Sequence, residues 1–395
     1  MKIALVHDWL TGYRGGERVL HHLVQRFPRA DLYTLFHDPG SVTREIENRR
    51  ITTSILDRLP RSHLHYRKLL PLFPWAIRRF DFAGYDLVIS TSHAVAKSIR
   101  VPRQIPHLDY CFTPMRYIWD QVDAYLGRGP ARWLATPAIH ALRRFDVRTS
   151  GPSSVDRFVA ISSEVANRIR RHYGRKANVV APPVELSWIE PASEPAEDFY
   201  LHVAGFVPYK RDSLVIETFR RLERRLIVVG DGPGRAALER RATPNVAFTG
   251  RIDDASLADL YRRARALIQP QHEDFGLVAV EAQAAGRPVI AFGEGGARDT
   301  VRPLLDEASD ALDQNVVPSL REDSASDAPP WAVGPTGIFF HEPTTEALAI
   351  AIERFEKAEG CFDSKQIRSW AERFSPDRFD RAFDREISAV IEALR

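Results

Sequence analysis

Cysteine and long apolar runs are the scarcest features of the sequence. Only two cysteines occur among 395 residues, Cys111 and Cys361, far apart and in no metal-ligand spacing. A disulfide scaffold and a cysteine zinc site are therefore disfavoured. No apolar run approaches the roughly 18 residues of a membrane-spanning helix, and the opening MKIALVHDW is too short for a signal peptide. We therefore expect a cytoplasmic protein.

An excess of charge of either sign and a dinucleotide fingerprint are also lacking. The formal net charge of +3 is close to neutral and gives no indication of a nucleic-acid partner. No G-x-G-x-x-G motif opens either half, which disfavours a nicotinamide dehydrogenase. With 44% hydrophobic and 27% charged residues the composition is that of a globular protein. A chain of 395 residues is long for one core, so two domains are expected.

What the sequence does contain is a regular alternation of short apolar runs with longer helical patterns. Apolar runs without strict polar alternation, each followed by a helix, are typical of parallel sheet covered on both faces. The predicted strands are 2–6, 31–36, 85–90, 108–112, 157–162 and 178–183, then 199–205, 224–232, 245–250, 264–270, 287–293 and 337–340. Two such series predict an α/β protein with two Rossmann-like, doubly wound domains facing a cleft.

Composition also predicts the domain boundaries. The segment 182–198 is rich in proline and acid and indicates a linker between a first domain, 1–185, and a second, 199–374. Residues 302–334 are too many for an ordinary connection and predict an exposed insertion. In 375–395, Ser375 is a candidate N-cap before Pro376, which predicts a C-terminal helix. We expect this helix to pack back on the first domain, although the capping residues do not specify its docking site.

Two glycine loops follow predicted strands at the start of each half. In GYRGGERVL, Gly15 and Gly16 precede a helix whose backbone N–H groups could face an anion or a sugar, although a tight turn explains them equally well. In GFVPYKRDS, Gly205 ends a strand, and Lys210 and Arg211 stand where the next helix begins. Cations gain nothing from a helix start, which favours a diphosphate as their partner over a solvated basic pair.

The most specific pattern is HEDFGLVAVEAQAAGRPVIAFGEGG, residues 272–296. Glu281 would lie in the helix after a turn formed by Phe275, Gly276 and Leu277, where a carboxylate can accept both hydroxyls of a ribose. Backbone N–H groups of that turn could hold phosphate or sugar oxygens. The plainer alternative is that Glu273 and Glu281 complement the helix dipole.

The same stretch closely resembles the E-x7-E signature of family 4 of the retaining glycosyltransferases, which have the GT-B fold. MKIALVHDWLTGYRGGERVL, YDLVISTSHAVAKS and YCFTPMRYIWD resemble N-terminal segments of its bacterial mannosyltransferase-type members, which build surface polysaccharides. VPYKR, VVGDGP, FTGRIDDASLADLYRRARALIQP and TGIFFHEPTTEAL resemble its C-terminal domain, in order. The resemblance covers nearly the whole chain except 302–334.

The resemblance implies transfer of a hexose such as mannose from a nucleotide diphosphate sugar to a glycan or lipid-linked acceptor. The second domain would bind the donor and the first the acceptor. No metal or other cofactor is required in this fold, because lysine, helix dipoles and backbone N–H groups stabilise the leaving diphosphate. The retaining outcome is ascribed in the family to attack on the front face, with the departing phosphate as base.

The resemblance also implies a role for each matching residue. Glu281 would hold the ribose and Lys210 the diphosphate. The other donor-binding positions would be Glu273 with Phe275, Gly276 and Leu277 for the transferred sugar, Gly15 and Gly16 for the phosphates, and Gly250, Arg251 and Ile252 for the base.

Two positions depart from the family pattern. Phe206 stands where many relatives have an arginine for the diphosphate, and Phe112 where they have an active-site histidine. Arg211, Arg116 or His93 could compensate, although a lone histidine is more often structural. The candidate catalytic residues are therefore Glu273, Lys210, His93 and Arg116. Two alternatives therefore stay open: a nucleotide-sugar 2-epimerase of the same fold, and a nucleotide-sugar-binding protein that has lost turnover.

The segment 44–79 carries nine Lys or Arg, only three acids, and the apolar run LLPLFPWAI. Basic residues with Trp and Phe suit an anionic membrane interface, and such a surface faces the membrane in relatives that use lipid-linked acceptors. Peripheral contact with the inner face of the membrane is one expectation. A solvated basic face over a core element is the other.

Overall fold

In the computed structural model the described residues are 1–123, 127, 129–207, 210–305 and 334–394. They form two compact units, Met1–Pro183 with Phe379–Arg395 and Val184–Arg378. The predicted insertion at 302–334 lies almost wholly outside the described residues, as does Pro208 of the second glycine loop.

The first unit is built on a seven-stranded parallel sheet in the order β3-β2-β1-β4-β5-β6-β7. The strand order reverses between β1 and β4, which pair in parallel from Ile3↔Leu87 to His7↔Thr91. In open α/β sheets such a reversal point is where ligands bind. The strands are β1 (Ile3–His7), β2 (Asp31–Thr34), β3 (Ile51–Thr53), β4 (Leu87–Ser92), β5 (His107–Cys111), β6 (Arg157–Ala160) and β7 (Ala177–Val179).

The described helices of the first unit cover this sheet and bury one apolar cluster that includes Phe36, Tyr66, Phe73 and Phe82. Strand β3 was not predicted, because three half-buried residues carry too little pattern. The helices are α1 (Gly15–Arg26), α2 (Arg44–Glu47), α3 (Ser62–His65), α4 (Phe73–Ile77), α5 (Pro130–Arg148) and α6 (Ser163–Tyr173), with 3₁₀ turns Ile55–Arg58, Tyr66–Leu72 and Ala96–Ser98.

The second unit repeats the plan with six parallel strands in the order β10-β9-β8-β11-β12-β13, which reverses between β8 and β11. The strands are β8 (Tyr200–Val203), β9 (Leu226–Val229), β10 (Val246–Gly250), β11 (Leu267–Gln269), β12 (Val289–Phe292) and β13 (Gly337–Phe340). The helices are α7 (Asp212–Leu222), α8 (Arg235–Glu239), α9 (Asp254–Arg263), α10 (Leu277–Ala284), α11 (Ala297–Thr300), α12 (Thr345–Ala358) and α13 (Ser364–Ala371), with 3₁₀ turns Glu359–Cys361 and Glu372–Phe374.

The last helix, α14 (Pro376–Glu392), returns the chain to the first unit, as predicted. The rings of Phe379 and Phe383 stand edge-on to Tyr110 of β5, with centroids 5.6 and 5.7 Å away. Asp380 adds an ion pair of 2.8 Å to His22 of α1. Among the helices that the structure describes, none is both long and apolar enough to cross a membrane.

Candidate active site

The turn between β11 and α10 is shaped by two glycines that tolerate no side chain. Gly276 has φ = 100°, and a Cβ there would stand 2.8 Å from Nε2 of Gln269. A Cβ on Gly296 would stand 2.3 Å from the Cα of Phe275, and its N–H donates to the carbonyl of Glu273 at 2.8 Å. The segment Glu273–Gly276 is therefore held tightly against the turn that follows β12.

Glu281 is buried one turn into α10, and its carboxylate is held by a residue that sequence reasoning missed. The hydroxyl of Tyr261, on the neighbouring helix α9, donates to Oε2 of Glu281 at 2.9 Å. Tyr261 is itself 1% exposed. A neutral donor fixes the carboxylate without neutralising its charge, so Glu281 keeps its capacity as an acceptor.

Lys210 and Glu273 form an ion pair in which Lys210 Nζ donates to Oε1 of Glu273. Both side chains are about one fifth exposed, 21% and 19%. They come from the loops that follow β8 and β11, the two strands at which the sheet order reverses. The structure therefore brings together two of the residues that the sequence predicts to be catalytic.

Arg211 adjoins Lys210 but has packing partners of its own. Its Nη1 donates to the carbonyl of Pro270 at 3.2 Å, and its guanidinium lies 4.3 Å from the ring centroid of Phe292. With φ = 56° it immediately precedes α7. Arg211 thus ties the β8 loop to the ends of β11 and β12 and places a second cation at the same edge of the sheet.

Another contact missed by sequence reasoning steadies the start of α7. The buried ring of His202 contacts Asp212 through Nε2 at 3.0 Å and the carbonyl of Ile268 through Nδ1 at 2.9 Å. His202 lies in β8 and Asp212 is the first residue of α7. This link fixes the helix that begins directly after the two cations.

Phe206 directs its ring into the core of the second unit, where it stands edge-on to Phe248 at 6.1 Å. Its backbone is interlocked with the loop after β9, because Gly234 N–H donates to its carbonyl at 3.1 Å. A Cβ on Gly232 would stand 2.8 Å from the backbone nitrogen of Phe206. Gly205, expected to end a strand, lies two residues after the end of β8, in the loop that carries Phe206. The side chain at this position is therefore part of the packing.

The stretch Gly250–Ile252 connects the carboxyl end of β10 to α9. Gly250 has φ = 77°, and its carbonyl accepts from the N–H of Gly230 at 2.9 Å. Arg251 is exposed and Ile252 half-buried. The carboxylate of Asp253 caps α9 by accepting from the N–H of Ser256 at 2.7 Å. The helix thus begun is the one that supplies Tyr261.

In the first unit the glycine loop sits over two aromatic rings. A Cβ on Gly16 would be 3.4 Å from the ring of Phe112 and 3.6 Å from Cε1 of His7. Gly15 is the first residue of α1, and Glu17 accepts from the N–H of Arg14 through Oε2 at 3.0 Å. The pKa of Glu17 is lowered, since the opposing effect of burial is outweighed by its hydrogen bonds and the neighbouring histidines.

His93 follows β4, beside the end of β1, at the reversal point of the first sheet. Its ring centroid lies 4.4 Å from that of Trp9, 6.0 Å from that of His7 and 6.4 Å from that of Phe112. Burial lowers the pKa of His93, against the pull of a neighbouring carboxylate on Asp8. The lowered pKa favours the neutral form of the imidazole.

Phe112 and Arg116 follow β5, the next strand along from His93. The ring of Phe112 is 9% exposed and packs edge-on against His7 and Tyr110. Arg116 is half-buried in the following turn, where its carbonyl accepts from the N–H of Gln121 at 2.8 Å. Position 112 therefore carries no polar group. Two imidazoles lie beside it, those of His7 and His93, with ring centroids 6.2 and 6.4 Å from that of Phe112. His7 is fully buried, whereas His93 is partly exposed.

Within the described ranges, no group of three or more His, Cys, Asp or Glu side chains is arranged to hold a metal ion. At the reversal point of the second sheet, the loops supply Lys210, Arg211 and Glu273, and α10 supplies Glu281. Two cations and two carboxylates together suit a ligand that carries both phosphate and hydroxyl groups.

Two family models match the chain in succession. The model described as Glycosyltransferase Family 4 matches residues 13–188, and the model described as Glycosyl transferases group 1 matches residues 189–308. The border between the two matches falls five residues after the border between the compact units at 183 and 184.

Individual relatives are similar over part of their length. The D-inositol 3-phosphate glycosyltransferase of Segniliparus rotundus is 32% identical over 169 residues, which is 36% of this chain and 38% of the relative. The GDP-mannose-dependent alpha-mannosyltransferase of Mycolicibacterium smegmatis is 32% identical over 183 residues, 44% of this chain and 46% of the relative. The chain thus spans less than half the length of these curated relatives.

Solved structures are similar over the full length. The Anabaena protein HepE in complex with UDP matches with a TM-score of 0.66 at 15% identity, over 98% of this chain and 100% of that one. Sucrose-phosphate synthase from Thermosynechococcus elongatus matches with a TM-score of 0.68 at 19% identity, over the whole of both chains. At these identities the likeness shows the shared GT-B fold alone. The two family models, which together match residues 13–308, place the chain in the group 1, family 4 glycosyltransferases.

Proposed function

We propose that this protein is a retaining hexosyltransferase that uses a nucleotide diphosphate sugar. The acceptor is a glycan or a lipid-linked saccharide in polysaccharide biosynthesis, and mannose is the first sugar to test because one relative is named for GDP-mannose. The observation that carries the proposal is the juxtaposition of Lys210 and Glu273 at the reversal point of the second sheet, with Glu281 on the helix between that turn and β12.

Each group at this edge has a chemical role in the proposal. Glu281, oriented by Tyr261, accepts hydrogen bonds from the two ribose hydroxyls. Lys210 neutralises the diphosphate as its charge grows on departure, and Arg211 adds a second positive charge nearby. Glu273 accepts from hydroxyls of the transferred sugar. The backbone N–H groups of Gly276 and Leu277, at the start of α10, bind phosphate or sugar oxygens.

The remaining donor contacts in the proposal come from the end of β10. Gly250, Arg251 and Ile252 flank the nucleobase. Preorganised cations and backbone N–H groups can stabilise the leaving diphosphate in place of a metal ion. Transfer that continues at full rate in the presence of excess EDTA would support this part of the proposal.

The first unit takes the acceptor in this proposal. Gly15 and Gly16 begin α1, and in the proposal the first backbone N–H groups of this helix approach the phosphates of the donor. His93 supplies the imidazole that relatives carry at position 112. Its ring neighbours Phe112, and its low pKa keeps it neutral and able to accept a hydrogen bond from a sugar hydroxyl.

Thermal unfolding with UDP, GDP, ADP and dTDP, each at millimolar concentration, tests the donor site. A ligand at about a hundred times its Kd adds roughly 2.7 kcal/mol of stability, which raises the unfolding midpoint visibly. One nucleotide should stabilise the wild type and not Glu281→Ala. Glu353→Ala removes an exposed glutamate from α12 of the same unit and should respond as the wild type does.

Turnover separates the proposal from its alternatives. Incubation with the stabilising nucleotide's sugar conjugates should yield free nucleoside diphosphate and a glycoside whose anomeric configuration matches the donor. Stabilisation without release of nucleoside diphosphate would instead indicate a binding protein that has lost turnover. Appearance of the C2 epimer of the donor would indicate an epimerase.

Peripheral membrane contact through 44–79 is part of the same proposal. Leu64 is 64% exposed and Trp75 is 49% exposed, on α3 and α4. The guanidinium of Arg79 lies 4.9 Å from the ring centroid of Trp75. Exposed apolar side chains beside basic ones suit the surface of an anionic bilayer, where a lipid-linked acceptor would be found.

A further inference from the structure

Asp8 is a fully buried carboxylate that binds one turn of the chain through four backbone hydrogen bonds. Its Oδ2 accepts from the N–H groups of His93 and Ala94, at 2.7 and 2.8 Å. Its Oδ1 accepts from those of Val95 and Ala96, both at 2.7 Å. Asp8 directly follows β1, so this one side chain ties the end of β1 to the loop after β4.

The same carboxylate reaches the imidazole of His93. Nδ1 of His93 lies 3.3 Å from Oδ2 of Asp8, while the ring is 28% exposed and the carboxylate is fully buried. A neutral imidazole carries one proton, and a negative oxygen at this distance favours that proton on Nδ1. Nε2 is then left with a lone pair and can accept a hydrogen bond.

The other charged or titratable groups that act on His93 do not offer a competing partner for Nδ1. From β1, His7 binds the hydroxyl of Thr91 through Nδ1 at 2.7 Å. Glu17, on α1, raises the pKa of His93 as Asp8 does, whereas Arg14, just before α1, lowers it. Glu17 in turn lies 3.9 Å from Nε2 of His7. Asp8 is therefore the acid in contact with the ring.

We propose that Asp8 is a positioning residue, which holds the turn His93–Ala96 and fixes the imidazole proton of His93 on Nδ1 so that Nε2 accepts a hydrogen bond from a sugar hydroxyl. The part that concerns the sugar rests on the proposed function. The part that concerns the proton is a property of the protein alone.

Nitrogen-15 NMR of the unmodified protein, labelled on histidine, tests the position of the proton. Two-bond proton–nitrogen correlations at pH 7 distinguish the Nδ1–H from the Nε2–H tautomer, and the His93 signals are those that disappear in His93→Gln. We expect His93 as the neutral Nδ1–H form. A proton on Nε2, or a charged ring at pH 7, would overturn the proposal whether or not the protein transfers sugar.

The pH dependence of transfer by Asp8→Asn tests the functional part. Asp8 raises the pKa of His93, so its neutralisation should lower that pKa further and move the acidic limb of the rate profile to lower pH. At the plateau kcat should fall about tenfold with KM changed much less, because the acceptor lone pair is no longer oriented. A loosened turn alone would lower the plateau without moving the limb.

Asp380→Asn is the matched control. It neutralises another aspartate of the first unit, which lies 2.8 Å from a histidine, His22 of α1. It should leave the acidic limb where it is in the wild type. If His93→Gln leaves both kcat and the pH profile unchanged, the proposed role of His93 is wrong. If His93→Gln lowers kcat and Asp8→Asn does not move the limb, the role of Asp8 is wrong.

Discussion

Lys210 and Glu273 neutralise each other across the reversal point of the second sheet. Each comes from a different loop, and both side chains are about four fifths buried, so their attraction is less screened than that of a surface pair. A nucleotide diphosphate sugar that binds here must share the lysine between its own phosphates and Glu273. The ion pair therefore opposes the binding of any anion at Lys210.

Replacement of Glu273 by glutamine should separate binding from turnover. The amide leaves the charge of Lys210 to the phosphates, so a nucleoside diphosphate should bind about three- to tenfold more tightly. Transfer should fall by about a hundredfold, because the sugar hydroxyls lose a charged acceptor and keep only the single neutral oxygen of the amide. Calorimetric titration and initial rates measure the two effects. Weaker binding of the nucleoside diphosphate would contradict this account of the ion pair.

Tyr261→Phe tests how Glu281 is oriented. Loss of one hydrogen bond to the carboxylate of Glu281 should weaken the binding of a nucleoside diphosphate about fivefold, since the carboxylate can then rotate away from the ribose. Tyr200→Phe is a matched control, because its buried hydroxyl donates to Glu356 at 3.0 Å elsewhere in the same unit. Both variants should lose stability, and Tyr261→Phe alone should lose affinity. Equal affinities in calorimetric titration would argue against an orienting role.

The sequence predicts the two-domain architecture and the E-x7-E turn well, and it misses the side chains that hold the site in place. Apolar runs and glycines leave a local signal. Tyr261 and Glu281 are 20 residues apart, and Asp8 and His93 are 85 apart, so their contacts exist only once the strand order is fixed. Phe206 shows the same limit, because only the structure places its ring in the core.

Gly296→Ala should weaken nucleotide binding through the backbone alone. Its Cβ would stand 2.3 to 2.5 Å from the Cα, O and N of Phe275, which are backbone atoms that cannot rotate aside. The turn Glu273–Gly276 must therefore shift, at a cost of about 1–3 kcal/mol in the free energy of unfolding. Gly360→Ala, where a Cβ would meet nothing within 4 Å, is the control. Urea unfolding and nucleotide titration of both variants provide the measurement, and a Gly296→Ala variant that matches the control would refute the prediction.

Flotation with vesicles tests the membrane surface. Trp75→Ser and Leu64→Ser together should reduce binding to vesicles containing phosphatidylserine by about tenfold, since each exposed side chain loses apolar area in the interface. A higher salt concentration should weaken the binding of the wild type to these vesicles in the same assay. Ile350→Ser removes a side chain that is 65% exposed on α12 of the second unit and should have no effect. Equal losses for both sets of variants would indicate unspecific adsorption.

A buried polar chain in the first sheet makes stability depend on pH in a way that a single substitution can expose. Ser90 Oγ lies 2.6 Å from Oδ1 of Asp109 and 2.8 Å from Nε2 of His107. Nδ1 of His107 already donates to the carbonyl of Ser154 at 2.6 Å. The one proton of Ser90 cannot serve both neighbours, so a further proton must reside on the carboxyl or on Nε2. Burial raises the pKa of Asp109 to about 7 and lowers that of His107 to about 4, which places the proton on Asp109.

The two groups act on stability with opposite signs. Asp109 binds its proton more tightly in the folded state. Its contribution to the free energy of unfolding is therefore complete below pH 3.8 and is lost as the pH rises towards 7. His107 binds its proton less tightly when folded, so its contribution is present above pH 6.5 and is lost as the pH falls towards 4. Between these limits the two slopes, each at most about 1.4 kcal/mol per pH unit, oppose each other.

In Asp109→Asn, the dependence of the free energy of unfolding on pH that His107 causes should therefore no longer be offset by Asp109. Relative to the wild type, the variant should gain stability as the pH rises from 4 towards 7, and the difference should become constant above the pKa of Asp109, because the buried carboxylate no longer has to ionise. Urea unfolding at pH 4.5, 6 and 8 measures this difference. Ser41→Ala, in an outer loop where the hydroxyl donates to the carbonyl of Leu10, should show a difference that does not vary with pH. If the difference for Asp109→Asn is equally flat, the proton does not reside on Asp109.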